Sequence, residues 1–196
     1  MDSDGSPTVA LTVASAAWRN AFEGRTGEAL EPLAERIVRA TLDRAAVTPW
    51  LKGGEVSLLL TDDREVRSLN ATYRERDRPT NVLSFPGLDL LEGEAREGAP
   101  PGPVLLGDIA ISIDRVLAEA EDLGKTAFDH FAHLLVHGSL HLLGFDHGDD
   151  RAAEVMEGLE TEILKELGIA APYDQTAGPG ESDRPASSVA VMSVQP

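Results

Sequence analysis

The amino-acid sequence predicts an α+β fold, a single domain in which one small sheet is covered by helices. Two observations carry this. Segments with strand character lie mostly before position 112, ahead of a long histidine-bearing helix, whereas the segments after that point have helical period. A length of 196 residues with a 42% hydrophobic fraction supports one core of ordinary size.

Taken in order, Met1 to Ser6 are polar and expected to fray. In Pro7 to Ser15, Val9, Leu11 and Val13 alternate with small residues, the period of a first strand. From about Gly27 to Ala46, Leu30, Leu33, Ile37, Val38 and Leu42 have helical spacing, and Pro32 fits near the start of that helix. Gly53-Gly54 is a turn before a second strand at Val56 to Thr61. Asp62 is a suitable N-cap for a helix running to about Tyr73. Asn81 to Phe85, bounded by two prolines, reads as a third strand. Gly87 to Pro103 is rich in glycine, proline and glutamate and reads as a long loop, either a plain solvated connection or one that moves near a site. Val104 to Ser112 is a fourth strand, Ile113 to Leu123 a short helix, Thr126 to Leu143 the histidine helix, and Asp150 to Leu167 a last amphipathic helix capped by Gly168. This places one domain at residues 7–173. Residues 174–196 are rich in proline, glycine, serine and acidic residues and are expected to be a disordered tail.

The densest chemical signal is His137-Gly138-Ser139-Leu140-His141-Leu142-Leu143-Gly144-Phe145-Asp146-His147. Histidines four apart lie about 40° apart around a helix axis, so His137 and His141 share one face. Gly144 is the residue type that ends a helix in a left-handed turn, which lets the chain bring His147 back to the same point. Were the helix to continue, His147 would lie roughly 9 Å further along the axis. All five histidines fall between positions 130 and 147, and there is no cysteine. Three imidazoles leave one tetrahedral position open, the composition of a catalytic zinc site, with one zinc ion per chain. A closed structural site completed by Asp146 or Asp149 is the alternative, and nickel or another first-row ion would also accept three imidazoles.

The same spacing occurs in the elongated motif of zinc peptidases, which place a glutamate after the first histidine as general base. Here that position is Gly138. A glycine there either opens the metal to substrate or lets a neighbouring element pack closely against the helix.

The net charge of −17 repels nucleic acid at long range. Five arginines nonetheless cluster in one window: Arg64, Arg67, Arg74, Arg76 and Arg78. They read either as a solvated helix face with ion pairs to Glu65, Glu75 and Asp77 or as a local phosphate-binding cleft on an acidic body. No apolar run approaches a membrane helix in length. No basic-then-apolar leader is present, and the lack of cysteine is compatible with a cytoplasmic location.

A second segment runs from Leu69 through Asn70-Ala71-Thr72-Tyr73-Arg74 and on through Pro79-Thr80-Asn81-Val82-Leu83-Ser84-Phe85-Pro86. Together with His137 to His147, Leu106-Gly107-Asp108-Ile109 and Met156-Glu157-Gly158-Leu159-Glu160, it closely resembles the YbeY family of endoribonucleases, the bacterial ribosomal-RNA maturation factors. The likeness runs from about Val56 to Tyr173. It implies a mixed four-stranded sheet, zinc at His137, His141 and His147, and a substrate-phosphate role for Arg74. It also implies a zinc-dependent, single-strand-specific endoribonuclease that matures the 3′ end of small-subunit ribosomal RNA and serves ribosome quality control. Its partners would be ribosomal RNA and the small subunit, with ribosomal proteins or assembly GTPases as helpers, and neither DNA nor membrane. The long polar tail and the acidic charge depart from the pattern. Asp108 and His133 are candidates to hydrogen-bond a ligand histidine from behind. A turn or cap role for Asp108, and plain packing for His133, are the alternatives. Either water or the ribose 2′-hydroxyl could attack phosphorus. Two rival functions remain, a zinc peptidase-like hydrolase and a non-catalytic ribosome-assembly factor with structural zinc.

Overall fold

The computed structural model describes residues 7–22, 29–46, 48–88, 104–170 and 190–191. Four strands form a mixed sheet: β1 (Thr8–Val13), β2 (Glu55–Thr61), β3 (Val82–Pro86) and β4 (Leu105–Ser112), in the spatial order β1-β2-β4-β3. β1, β2 and β4 run parallel, and β3 is antiparallel to β4. The predicted α+β class and mixed four-stranded sheet are both present. A two-residue strand β5 (Ala190–Val191) adds to the outer edge of β3. Residues 174–189 and 192–196, the rest of the tail expected to be disordered, lie outside the described residues, as does most of the 87–103 loop.

Alternation sorts the two faces of the sheet. Val56, Leu58 and Leu60 of β2 and Leu106, Ile109 and Ile111 of β4 enter the main core. There they meet α2 (Leu30–Ala45), α5 (Ile113–Asp122), α6 (Ala127–Leu142) and α7 (Asp150–Glu166). On the other face, α4 (Asp63–Arg74) packs Val66 against Leu83 of β3 and Ala110 of β4. Asp62 caps α4 as predicted, accepting a hydrogen bond from the Glu65 amide at 3.0 Å.

Two short helices escaped the sequence reading. α1 (Ala16–Phe22) is seven residues long, too short for apolar periodicity to register. Its fixity comes from tertiary contacts. The Trp18 and Phe22 rings lie 5.1 and 5.4 Å from Phe131 of α6, and the Trp18 indole N–H donates to the Thr61 carbonyl at 2.9 Å. The short α3 (Pro49–Lys52) was likewise not foreseen. Among the described residues no helix is long and apolar enough to cross a membrane.

Two residues of edge pairing add little to a core of this size. A chain ending at Tyr173 is expected to melt within a few degrees of the full-length protein and to retain its metal. A larger drop in a thermal melt would show that the tail docks firmly on the β3 edge.

Candidate metal centre

The centre is built at the C-terminal end of α6. Thr126 opens that helix, its hydroxyl accepting from the Asp129 amide at 3.0 Å. Gly144, with φ of 88°, closes it. The Phe145 amide donates back to the Leu140 carbonyl at 3.1 Å, and the Gly144 amide to the His141 carbonyl at 3.1 Å. These are the two bonds of a Schellman termination. The reversal delivers His147 to the face that carries His137 and His141. Their ring centroids are 4.6 Å apart for His137 and His141, 5.2 Å for His141 and His147, and 5.7 Å for His137 and His147. The ligand nitrogens of all three lie within 4.8 Å of one another.

The hydrogen bonds behind these rings set their tautomers. His141 Nδ1 donates to the Phe145 carbonyl at 2.8 Å, and His137 Nδ1 donates to Glu160 Oε1 at 2.5 Å. Both rings are neutral. Burial lowers the pKa of His137, and it lowers that of His141 to about 3. With their protons on Nδ1, each presents a bare lone pair at Nε2, and the two Nε2 atoms face each other at 2.9 Å. Two lone pairs at that separation repel unless a cation lies between them. His147 Nε2 is also buried and has no hydrogen-bond partner. These features fit a bound cation. Zinc–imidazole bonds of about 2.0–2.1 Å need only a small outward adjustment of the rings.

Glu160, on α7, went unassigned in the sequence. It lies one turn after Met156 on the apolar stripe of the helix, and an acidic residue in that stripe is the signal that could have found it. Its side chain is 1% exposed. Burial raises the carboxyl pKa, but hydrogen bonds from His133 and His137 overcome this and hold it well below the usual range. The ionised carboxylate therefore bridges two histidines, with Oε2 accepting from His133 Nε2 at 3.0 Å. His133 thus reaches His137 through Glu160 rather than directly. His133, His137 and Glu160 form a second cluster of closely spaced ligand atoms, but its short distances are those of these hydrogen bonds. Glu160→Gln is expected to weaken metal binding about 10–100-fold while the protein still folds, measured by competition with a chromogenic chelator. An unchanged affinity would reduce Glu160 to a packing role.

The other candidates are distributed differently. Asp146 accepts from the His147 amide and Asp149 caps α7 through the Ala152 amide, both at 2.8 Å. Each is therefore occupied in shaping the loop rather than closing the cluster as a fourth ligand. Asp108 is exposed on the face of β4 opposite the one α6 covers, where it lines a cleft with Tyr73 and Phe85. It is not brought to the histidines. Gly138 points into the sheet. A Cβ there would lie 3.1 Å from Ser84 Oγ and 3.2 Å from Ile109 Cγ2, so close packing accounts for the glycine.

Arg74 is the last residue of α4, ahead of Glu75 in the left-handed conformation. Neighbouring Tyr73 touches Phe85, with ring centroids 5.3 Å apart. Phe85 pairs with Asp108 across β3 and β4. The C-terminal end of α4, with Arg74, therefore lies on the α4 side of the sheet, the face opposite α6. Arg67, by contrast, is held by Asp77 in a two-pronged ion pair at 2.6 and 2.8 Å on the exposed surface.

Fold and site together define a small α+β protein carrying a three-imidazole cluster of the composition that metal-dependent hydrolases use. The family model described as Endoribonuclease YbeY matches residues 19–168, and the chain belongs to that family. Similar proteins include three called Endoribonuclease YbeY. That of Rhodospirillum rubrum is 54% identical over 132 residues, 66% of this chain and 64% of the relative. That of Ruegeria pomeroyi is 50% identical over 151 residues, 74% of this chain and 90% of the relative. That of Rhodopseudomonas palustris is 43% identical over 169 residues, 85% and 82% of the two chains. The matched region thus spans just under two thirds of the first relative's length and most of the others.

Proposed function

We propose that this chain is a zinc-dependent endoribonuclease that cuts single-stranded RNA in cytoplasmic maturation of the small-subunit ribosomal RNA 3′ end, and in ribosome quality control. The observation that carries the reading is the convergence of His137, His141 and His147 on one point, with the Nε2 atoms of His137 and His141 facing each other and that of His147 buried without a hydrogen-bond partner. Membership of a family described as endoribonucleases supplies the reaction class.

In this reading His137, His141 and His147 would hold the ion, which would supply Lewis-acid charge and acidify water when bound. The protein's own contribution is positional. Glu160 and the Phe145 carbonyl fix the directions of two ligand rings. Arg74 binds a phosphate oxygen of the strand and offsets charge that grows in the transition state. The acidic body favours presentation of the substrate by the small ribosomal subunit, with ribosomal proteins or assembly GTPases as partners, over capture of free RNA.

The peptidase alternative is disfavoured by Gly138. A glutamate there would drive into Ser84 and Ile109 rather than toward the metal. The test is cleavage of ribosomal-RNA precursors and assembled subunits, with and without a chelator. Cleavage that a chelator stops and zinc restores supports the reading. A zinc-loaded protein that cuts no RNA in either context favours an assembly factor with structural zinc.

A further inference from the structure

The sheet face opposite α6 is only partly covered. α4 packs on β3 and β4, and beside it lies a cleft of about 400 Å³. Leu59, Leu69 and Ala110 give it an apolar lining beside the small Ala10, Thr12 and Ser57, and Tyr73, Phe85 and Asp108 also line it. Tyr73 is 53% exposed, and its ring meets that of Phe85 at an interplanar angle of 65°. Phe85 and Asp108 are directly paired across β3 and β4, so the aromatic ring and the carboxylate stand side by side. None of these residues touches the histidine cluster.

A slot with an apolar floor, an aromatic wall and one carboxylate suits a flat group whose faces are apolar and whose edge donates hydrogen bonds. Nucleobases have that form. They stack on aromatic side chains, and their amino and imino edges donate to carboxylates. Charge complementarity favours a base that arrives on a phosphate backbone. Arg74 follows Tyr73 directly, and its guanidinium pKa is depressed by burial and then by repulsion from Arg76 and Arg78. Three cations are therefore crowded at the helix end beside the cleft, on an otherwise acidic protein. We infer that the cleft formed by Tyr73, Phe85 and Asp108 is a base-binding subsite for the single-stranded RNA substrate, with the Tyr73 ring as its stacking surface. The inference rests on the ribonuclease reading above. It gives Asp108 a role in recognising a base edge rather than in supporting a ligand histidine.

The test uses the full-length, zinc-loaded protein and a short single-stranded RNA containing 2-aminopurine, whose fluorescence falls on stacking. Binding is followed by stopped flow, before cleavage proceeds. Tyr73→Phe is expected to bind within about twofold of the wild type and to keep the quenching. Tyr73→Ala should bind at least about fivefold more weakly and lose it. Tyr73→Leu, which keeps apolar bulk without a π face, should behave like the alanine variant. If the wild type cleaves RNA but Tyr73→Ala binds and quenches equally well, the subsite is overturned, the nuclease reading stands, and the cleft is left to a protein partner. If the wild type neither binds nor cleaves RNA, the nuclease reading falls and the subsite falls with it.

Discussion

Replacing His141 by alanine is expected to reduce bound zinc from about one equivalent per chain to a trace. The geometry makes His141 the hardest of the three ligands to replace. It is buried between the other two, with ring centroids 4.6 Å from His137 and 5.2 Å from His147. Among the described residues no carboxylate joins the three-histidine group, so two imidazoles would remain. His133 cannot swing in cheaply, because its Nε2 is held by Glu160. The variant should still fold. What it loses in the protein is one hydrogen bond to the Phe145 carbonyl and a partly filled space, a cost of about 1–3 kcal/mol. Elemental analysis of the purified variant, alongside a melt, separates loss of metal from loss of fold. Full zinc occupancy in folded His141→Ala would overturn the ligand assignment.

The three histidines were legible because everything that assembles them is local. Two lie one turn apart on a helix, and a glycine turn brings in the third within eleven residues. Glu160 was not legible as their support, because it is 23 positions from His137, and only the packing of α7 on α6 joins them. The fold class and the longer helices followed from periodicity, whereas α1 exists through its aromatic contacts with Phe131. Asp108 shows a subtler limit. Strand register passes from Glu55 opposite Leu105 to Val56 opposite Gly107, skipping one residue of β4. Such a bulge changes which face later side chains take, and it directs Leu106 and Ile109 into the core. Asp108 is left on the opposite face. Alternation read from the sequence carries no mark of that skip.

Arg74→Ala should lower RNA cleavage by about two orders of magnitude or more, the loss expected for removing a charge partner of the transition state. Folding and metal content should be nearly unchanged. Arg74 is half-buried at the end of α4, where burial, Arg76 and Arg78 all disfavour its charge. An exposed ion pair at such a position contributes only about 0–1 kcal/mol. The backbone around it is fixed independently, by the Arg76 amide donating to the Asn70 carbonyl and the Asn70 side-chain amide donating to the Arg78 carbonyl. Truncating Arg74 should therefore leave the helix end and the following loop in place. Arg74→Lys should recover only part of the activity, since lysine keeps the charge but lacks the planar fork that grips two phosphate oxygens. Single-turnover cleavage of a ribosomal-RNA precursor, with zinc content and melting temperature measured on the same samples, checks all three expectations. Wild-type cleavage by folded, zinc-loaded Arg74→Ala would remove Arg74 from the catalytic machinery. A variant that melts far below the wild type would assign Arg74 a structural role at the α4 terminus, and the charge-conserving lysine variant would then show whether cleavage also depends on its fork.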